Sequence, residues 1–503
     1  MPHHVRWSLW RPADHGRSFV TNPGASAVEA AGDFRSINHD VPRFLIRALL
    51  VFASLYGAAI TLSVPWSLQA VIFDEVRYAS MGPAAYLWGG LLLAFGTAIM
   101  VRWCLVQAVA FREYDRHVLN RNPVPHGDQP FVSILVPAFN EVDTIVPAIQ
   151  SLIALDYPSY EVIVVDDGST DDTYARALTL AGDHARCRVQ VITKPNGGKW
   201  SALNCAYRAS SGAYVLCVDA DSRLCAAALR MLVPRLGEPG VAGVAGQVTI
   251  RNRDRLLNRL QAAEYLLGNG GMRMALSYLG LVTVVPGPIG LYKRSALEAV
   301  RQLPGNQNVP DAHASAGAVT GPLSGETFAE DFQLSLSCLA LGYKVVYEPR
   351  AIAYTKCPHT VEGLLNQRYR WMRGTWQVLR VYARDLRGQQ RVSHARPVPT
   401  LHHVMMMLYT VDIYLVPILN FFFWIALAGC AALGLNLTGI GQWIGAVALL
   451  NMMTAMIYAI LQGDDPLIVV FVPLLDIYQA LLINSAWVIA AIDELRRSRM
   501  NWS

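Results

Sequence analysis

Two carboxylates one residue apart, Asp219 and Asp221, directly follow an apolar run that ends at Val218. Such a pair suits a divalent cation that bridges phosphate oxygens, and oxygen ligands favour Mg²⁺ or Mn²⁺ over zinc. The sequence contains no cluster of histidines and cysteines that would compete for a metal. An Asp-x-Asp pattern is common by chance, but its position at the end of an apolar run strengthens the interpretation as a cation site.

A second acidic pair, Asp166 and Asp167, follows two valines and precedes a glycine turn. The end of a strand is the right place for an acid that grips a base or a ribose. The alternative is an acidic helix cap, because Ser169, Thr170 and Asp171 are all good N-cap residues. Both interpretations can hold, since the cap does not use Asp166 or Asp167.

A glycine-rich turn, Asn196-Gly197-Gly198-Lys199, precedes a helical pattern. The glycines allow close approach of the backbone, and a lysine beside them suits a diphosphate. The alternative is an ordinary turn with an exposed lysine. Another polar stretch, Pro137 to Glu141, follows an apolar run and is equally consistent with a simple turn.

The pair Glu330-Asp331 follows a glycine-rich stretch at 315–325. A carboxylate in a half-buried site can act as the base for a nucleophilic hydroxyl group. The alternative is a capping pair for a helix over residues 332–341. The stretch 304–325 resembles an insertion or a mobile loop.

A basic amphipathic helix is predicted from about Thr360, because apolar residues recur there at helical spacing between arginines. Gln367, Arg370 and Trp371 lie within about one turn of it. They can offer an arginine to a phosphate and a ring that stacks on a sugar. An ordinary helix at a membrane surface explains the pattern but not this clustering with the other motifs.

These residues lie at the ends of predicted strands and helices. The strands alternate with helices along the chain, and this alternation predicts an α/β domain with a mostly parallel sheet. Ligands then bind at the carboxyl ends of the strands. The predicted elements are strands at Phe131–Val136, Glu161–Val165, Val189–Thr193 and Ala213–Val218, and helices at Val142–Leu155 and Trp200–Ala209.

Apolar stretches flank this domain on both sides. Of the 503 residues 53% are hydrophobic and only 16% are charged, against about 25% charged in a typical soluble domain. Runs of about 20 apolar residues are long enough to span a membrane. The candidate spans are Phe44–Val64 and Ala84–Val101 before the domain, and about 405–433, 443–461 and 467–492 after it.

Arginines around the first two spans place both of their flanks in the cytosol by the positive-inside rule. The predicted organisation is a flexible cytosolic tail (1–42), two transmembrane helices (43–110), a cytosolic domain (125–358), an interfacial region (359–400), a transmembrane region of three or four helices (401–495) and a basic tail (496–503). Three final spans would leave Arg496, Arg497 and Arg499 outside, although this basic tail favours the cytosol. The sequence does not resolve that conflict.

Several other features bear on partners. The net charge of +5 is mild and no lysine- or arginine-rich block is present, so no nucleic-acid partner is expected. The eight cysteines form no Cys-x-x-Cys pair, which favours reduced thiols in a cytosolic domain. Asp412 and Asp476 lie in apolar stretches, where they fit either a polar channel or a helix–helix hydrogen bond.

In their order along the chain these motifs resemble the processive family 2 glycosyltransferases, which include cellulose, chitin, hyaluronan and poly-N-acetylglucosamine synthases. The resemblance covers about residues 130–380 and the flanking spans, and extends to Pro286-Gly287-Pro288, which is similar to the family's loop near the acceptor. It implies a domain of the GT-A type inserted between N- and C-terminal transmembrane helices. One departure is Ala329, where many members have threonine before Glu-Asp.

Carried over, the resemblance implies a role for each motif. Asp166 and Asp167 hold the uridine side of the donor, and Lys199 contacts the nucleotide. Asp219 and Asp221 contact the nucleotide and the Mg²⁺ or Mn²⁺ ion, with Asp221 favoured as the direct ligand. Asp331 is the general base. The diphosphate and the acceptor end are held by Glu330, Gln367, Arg370 and Trp371.

The resemblance further implies an inverting membrane enzyme, a hexosyltransferase of the cell (inner) membrane with a cytosolic catalytic domain. It transfers sugar from a UDP-sugar to a growing β-linked polysaccharide and moves the polymer through its own spans. The stretches 200–204 and 347–350 favour a poly-N-acetylglucosamine-like product, and a β-glucan stays open. Alternatives are a single transfer to a membrane lipid, and a transporter or receptor with a cytosolic regulatory domain. Accessory subunits stay open.

Overall fold

The computed structural model describes residues 43–72, 83–119, 129–307, 321–389, 392, 395–432 and 438–496. The predicted N-terminal tail, most of the predicted insertion and the end of the basic tail lie outside these residues. Within them, one nine-stranded sheet carries the central domain, and long apolar helices precede and follow it.

The sheet has the strand order β3-β4-β2-β1-β5-β8-β7-β9-β6. Pairing is parallel between β1 and β2, β1 and β5, β2 and β4, and β7 and β9. It is antiparallel where β3, β6 and β8 join. The strands are β1 Val132–Ala138, β2 Tyr160–Asp166, β3 Gly182–Asp183, β4 Cys187–Thr193, β5 Tyr214–Cys217, β6 Arg223–Leu224, β7 Val241–Ile250, β8 Gly290–Lys293 and β9 Lys344–Thr355.

Helices cover both faces of this sheet. One face packs against α3 (Ile145–Ile153), α4 (Thr173–Leu178) and α6 (Ala228–Leu236). The other face packs against α5 Lys199–Ala209, α7 Leu256–Gly268, α8 Met274–Leu279, α9 Arg294–Arg301 and α11 Glu330–Ala340. The short α10 (Pro304–Gln307) contacts α9. Central strands are largely apolar because both of their faces are covered. The predicted mostly parallel α/β fold is therefore confirmed.

Long helices flank the domain in the chain. Helix α1 (Arg43–Ile72) and helix α2 (Pro83–Glu113) precede it. Helix α12 (Val361–Gly388) follows it and begins where the Thr360 side chain accepts a hydrogen bond from the Gly363 N–H at 3.1 Å, a normal N-cap. Helix α13 (Thr400–Ala432) and helix α14 (Thr438–Gln462) come next.

The last apolar stretch is a broken helix. It comprises a 3₁₀ segment Pro466–Leu474, α15 Leu475–Tyr478, a π segment Gln479–Ile483 and α16 Asn484–Leu495. Four stretches of the described chain are long and apolar enough to cross a membrane: Arg43–Leu62, Thr400–Ile425, Gly441–Gln462 and Pro466–Leu495. The second span predicted from the sequence, Ala84–Val101, lies within α2.

Buried polar groups join the long helices to the sheet. Gln462 at the end of α14 accepts a hydrogen bond from Gln247 of β7 at 2.9 Å and donates one to the Tyr114 hydroxyl at 2.9 Å. Arg235 of α6 pairs with Glu113 of α2 at 2.9 Å, with both side chains 1% exposed. These contacts seat the domain on the ends of α2 and α14. In the apolar part of the bundle Arg102 of α2 pairs with Asp412 of α13 at 2.6 Å.

Candidate active site

The polar motifs meet along one edge of the sheet. Asp166 is the last residue of β2, Lys194 follows β4, Asn140 follows β1, and Asp219 follows β5 by two residues. These four strands are mutually parallel, so their carboxyl ends lie at the same edge. β8 runs antiparallel to β5 and begins opposite Cys217, so the loop before β8 also reaches this edge.

Asp167 organises the glycine turn. Its carboxylate accepts hydrogen bonds from the N–H groups of Gly198 at 2.7 Å and Gly197 at 3.1 Å, and it pairs with Lys194 Nζ at 2.6 Å. The neighbouring turn also needs glycine, because Gly168 has φ +72° and a Cβ there would lie 2.8 Å from the Asn196 nitrogen. The two loops are thus packed backbone to backbone.

Only one of the two carboxylate oxygens of Asp166 is hydrogen-bonded within the protein. Its Oδ2 accepts a hydrogen bond from Thr193 Oγ1 at 3.0 Å. Its Oδ1 is buried and has no hydrogen-bond partner. A buried acceptor without a partner costs about 1–3 kcal/mol, so this atom is a good place for an N–H or O–H donor of a ligand.

Lys199 stands at the centre of a cluster of carboxylates. Its Nζ lies 2.8 Å from Asp219 Oδ1 and 2.9 Å from Glu330 Oε1. Burial lowers the pKa of Lys199. The negative charges of Asp219, Glu330 and Asp331 raise it by more, so the pKa lies well above its ordinary value. Lys199 therefore stays a cation within the cluster.

The Gly287 backbone closes over this ion pair. A Cβ on Gly287 would lie 2.8 Å from Lys199 Nζ and 2.9 Å from Asp219 Oδ2. Only glycine leaves this space open. Lys199, Asp219, Glu330 and Asp331 line one cavity together with Gly287 and residues of β5, β8 and α11. The structure thus brings together four of the residues predicted from the sequence.

Asp221 lies beside this cavity. Its carboxylate accepts hydrogen bonds from Ser222 Oγ at 2.8 Å and Thr355 Oγ1 at 3.2 Å. The pKa of Glu141 is raised by burial and then by the charges of Asp221 and Asp219, although a hydrogen bond from Thr144 opposes this. Burial and the Asp221 charge also raise the pKa of Asp219 against the opposing effect of Lys199.

The negative charges of Asp219 and Asp221 lie close to each other and to Glu141, and together they make a region that attracts a cation. Within the described residues, no group of three or more His, Cys, Asp or Glu side chains is arranged to hold a metal by itself. Mg²⁺ sites commonly use one or two carboxylates and take further ligands from substrate phosphates. Asp219 and Asp221 fit a cation of that kind.

Asp331 lies in the first turn of α11. Its Oδ1 accepts a hydrogen bond from the Phe332 N–H at 2.7 Å, and its Oδ2 accepts one from the Gly287 N–H at 3.2 Å. Burial and the Glu330 charge raise its pKa to about 6, against the lowering effect of Lys199. A carboxyl group with this pKa is ionised at neutral pH and can still take up a proton, as a general base requires.

Helix α12 carries Gln367, Arg370 and Trp371 and packs against the segment before Asp331. A Cβ at Gly374 would lie 2.8 Å from the Cβ of Ala329, so the helix touches the chain here at van der Waals distance. Gln377 Oε1 accepts a hydrogen bond from the neighbouring Phe328 N–H at 3.2 Å. Residues three, four and seven positions before Gly374 share its face, and these include Arg370 and Gln367.

Each of the three motif side chains of α12 has an exposed surface or an unpaired polar atom that a ligand could contact. Gln367 Oε1 is buried without a hydrogen-bond partner. Arg370 is exposed, and Trp371 is 40% exposed. The neighbouring Arg368 stacks over the Trp371 ring at 4.3 Å and pairs with Glu264 at 2.7 Å. These three residues do not line the Lys199 cavity, and they lie within about two turns of Gly374, where α12 contacts Ala329.

Sequence reasoning missed some contributors. Lys194 forms an ion pair with Asp167, and Thr355 donates a hydrogen bond to Asp221. Glu141 adds a third carboxyl group close to Asp219 and Asp221. For Lys194 and Thr355 the available signal was their position at or just beyond the end of a strand. Glu141 lay in a stretch for which a simple turn was an equal interpretation.

Comparison with known proteins agrees with this geometry. Residues 133–301 match the profile described as Glycosyl transferase family 2. The chain is 30% identical over 249 residues to poly-beta-1,6-N-acetyl-D-glucosamine synthase of Staphylococcus epidermidis, covering 49% of this chain and 55% of that protein. It is 29% identical over 266 residues to the synthase of the same name from Staphylococcus aureus, covering 52% of this chain and 59% of that one.

A solved structure supports the same fold. The mannosyltransferase of Pyrobaculum calidifontis, in complex with GDP-Man and Mn²⁺, aligns over 82% of this chain and 99% of its own with a TM-score of 0.53 and 21% identity. The chain therefore contains a glycosyl transferase family 2 domain with a GT-A-type fold, as the resemblance implied. The chain spans little more than half the length of the curated relatives it matches.

Proposed function

We propose that this chain is an inverting membrane glycosyltransferase that transfers a sugar from a UDP-sugar to a growing β-linked polysaccharide. The observation that carries the proposal is the cavity in which Asp331 faces Lys199, Asp219 and Glu330 at the carboxyl edge of a family 2 domain. It combines a poised base, the lysine cation of Lys199 and carboxylates that attract a second cation. A transporter or a receptor has no need of this arrangement.

Asp166 and its neighbours form the nucleotide side of the proposed site. The unpartnered Asp166 Oδ1 accepts a hydrogen bond from the donor's base or ribose. Asp167 acts through the turn that it holds, which presents the backbone of Gly197 and Gly198 next to Lys199. Lys199 then lies within reach of the diphosphate and offsets its charge.

Asp219 and Asp221 are the proposed ligands of Mg²⁺ or Mn²⁺. A cation held by these two residues would supply charge stabilisation for the leaving diphosphate. The Mn²⁺ in the Pyrobaculum calidifontis complex is consistent with a divalent cation in this fold. Lys199 now pairs with Asp219 at 2.8 Å, and donor phosphates would give it a second set of partners.

Asp331 is the proposed general base. Its carboxylate removes the proton from the acceptor hydroxyl group, whose oxygen attacks the anomeric carbon while the bond from that carbon to the diphosphate breaks. One displacement inverts the configuration at that carbon, which gives a β-linkage from an α-linked donor. Arg370 on α12 adds positive charge for the leaving diphosphate, and Trp371 offers a ring face to the acceptor sugar.

The proposed product is a poly-β-1,6-N-acetylglucosamine-like polymer. Both staphylococcal relatives carry the name of such a synthase. The long apolar helices that flank the domain would anchor it in the cell (inner) membrane with the domain in the cytosol, and they would give the polymer a route across. Glu330, Gln367 and Trp371 stand on the proposed acceptor side.

The test uses membranes that contain the full chain. Radiolabelled UDP-GlcNAc, UDP-glucose and UDP-glucuronate are supplied separately with Mg²⁺ or Mn²⁺, and products are separated by size. The wild type is compared with Asp331→Asn and with Asp183→Asn, a matched control whose side chain is 89% exposed at the far edge of the sheet. High-molecular-mass product from UDP-GlcNAc, lost in Asp331→Asn and kept in Asp183→Asn, is the expected result.

Each other outcome removes part of the proposal. If polymer forms from UDP-glucose alone, the product is a β-glucan and the proposed poly-N-acetylglucosamine product is wrong. A short, lipid-extractable product means a single transfer to a lipid acceptor. Polymer formation at the wild-type rate by Asp331→Asn means that Asp331 is not the base.

A further inference from the structure

The last apolar stretch, Pro466–Leu495, poses a problem of topology. Its 30 residues have a mean hydropathy of 2.1 and qualify as a span by length and composition. If α14 returns the chain to the side of the domain, a further crossing would carry Arg496 to the opposite side. The contacts of the segment decide between a crossing and a course along the membrane surface.

The beginning of the segment is tied to the domain. Asp464 pairs with Arg253 at 2.6 Å, and Arg253 belongs to the loop between β7 and α7. Seven residues further on, the Phe471 ring lies under the guanidinium of Arg259 at 5.3 Å. The chain therefore leaves α14 on the side where the domain lies and follows α7.

The middle of the segment also touches the domain. The Tyr478 hydroxyl donates a hydrogen bond to Glu264 Oε2 at 3.0 Å, near the end of α7. The same Glu264 carboxylate pairs with Arg368 of α12 at 2.7 Å. Tyr478 is thus close to the point where α7 and α12 meet.

The end of the segment is held by α12. Glu494 is 6% exposed and its carboxylate pairs with Arg373 at 3.1 Å and with Arg380 at 2.7 Å. The neighbouring Asp493 accepts a hydrogen bond from the Tyr369 hydroxyl at 2.7 Å. Because α12 is itself bound to the domain through Glu264 and Phe328, both ends of the segment lie on the domain side.

These contacts are incompatible with a crossing. The hydrocarbon core of a bilayer is about 30 Å thick, and a helix of this length that crossed it would have its two ends on opposite sides. A segment whose beginning, middle and end all touch one domain has no part that reaches the far side.

We infer that Pro466–Leu495 is an interfacial strap that lies on the membrane surface beneath the domain, with a lipid monolayer as its partner. Its outward residues are large, apolar and exposed: Leu467 at 71%, Val470 at 64%, Ile477 at 50%, Leu481 at 66%, Ile489 at 53% and Leu495 at 77%. Its inward residues include the acids that bind α12. The rest of the inward side is mostly apolar and packs against the protein, as the buried Val472 and Trp487 show. The outward apolar residues are covered when the segment lies at the boundary between headgroups and acyl chains.

Two consequences follow from the strap. Arg496, the last described residue, lies on the side of the domain, which agrees with a basic tail under the positive-inside rule. The acids Asp493 and Glu494 also hold the helix that carries Gln367, Arg370 and Trp371, and they are therefore positioning residues. The topology is independent of the sugar donor and of the catalytic proposal.

The depth of the segment tests the inference. Leu481 is at the middle of Pro466–Leu495, so a span places it at the bilayer centre and a strap places it near the headgroups. Leu481→Cys, in a background without other cysteines, is labelled with a fluorophore and reconstituted in vesicles with lipids brominated at shallow or deep acyl positions. Leu449→Cys is the matched control, since it is 49% exposed near the middle of α14.

Shallow bromines should quench the label at Leu481 more than deep bromines, and the order should reverse at Leu449. Equal depth of the two labels would overturn the strap. A second measurement needs no cysteine replacement: an epitope is appended after Ser503, and sealed vesicles are treated with protease from the side of the domain. Complete loss of the epitope signal is expected, and protection of the epitope would mean that the segment crosses.

Discussion

The raised pKa of Asp331 predicts that turnover falls on the acid side near pH 6. Burial and then the Glu330 charge raise this pKa to about 6, while Lys199 lowers it. Only the carboxylate form can accept the proton of the acceptor hydroxyl group. Turnover should therefore be full above the pKa and should fall as the pH decreases through it.

The size of the effect follows from the pKa. A carboxyl group with a pKa of about 6 is ionised to about 90% at pH 7 and to about 9% at pH 5, so kcat should fall roughly tenfold between them. An ordinary aspartate, with a pKa of about 3.9, would stay more than about 90% ionised at pH 5. The two cases differ by far more than the error of a rate measurement.

Two substitutions should move this pH dependence in opposite directions. Glu330→Gln removes a negative charge that raises the Asp331 pKa, so the midpoint should shift to lower pH. Lys199→Met removes a positive charge that lowers it, so the midpoint should shift to higher pH. Both variants will also lower the rate, because both residues line the cavity, but the midpoint is independent of the absolute rate.

The assay measures initial rates of sugar transfer at saturating donor, between about pH 5 and about pH 8, for the wild type and the two variants. Asp183→Asn serves as the control and should keep the wild-type midpoint. The reasoning would be refuted if both variants kept that midpoint, or if residual turnover of Asp331→Asn still titrated near pH 6.

Three further substitutions test other parts of the structure. Asp221→Asn should raise the Mn²⁺ concentration for half-maximal turnover at least about tenfold, because it removes a proposed ligand; an unchanged Mn²⁺ titration would exclude that role. Arg235→Met should lower the free energy of unfolding by about 3–5 kcal/mol, because it leaves the buried Glu113 without its arginine partner. Thermal unfolding in detergent measures this, and a loss below about 1 kcal/mol would contradict it. Glu494→Gln should reduce kcat with little change in donor KM, because it frees the helix that carries the acceptor motif. Arg380→Gln should have little effect, because the Arg380 side chain that pairs with Glu494 is 65% exposed. Equal kinetics of these two variants would argue against positioning by Glu494.

Much of the domain could be predicted from local sequence. The predicted strand Phe131–Val136 is observed as Val132–Ala138, and Glu161–Val165 as Tyr160–Asp166. Such strands are continuous apolar runs bounded by polar turns, and that pattern is local. The meeting of Lys199 and Asp219 was also predictable, because parallel strands place their carboxyl ends at one edge.

The partners of the site residues were less predictable. Asp167 was expected to touch the donor, and the structure has it holding Lys194 and the glycine turn 30 residues away. Glu141 was expected either at the carboxyl edge of the sheet or in a simple turn, and the structure places it close enough to Asp221, after another strand, for the Asp221 charge to raise its pKa. Which side chain neutralises which depends on the order of strands in the sheet, and single-strand patterns carry no record of that order.

The sequence by itself determined which segments are apolar and which motifs end the strands, because both depend on residues close together in the chain. It could not determine whether Pro466–Leu495 crosses the membrane, since mean hydropathy measures composition and not direction. Glu494 meets Arg373 across 121 positions of the chain. Only the packing of α12, α16 and the sheet brings these charges together, and the attraction between them is stronger because the surrounding helices exclude water.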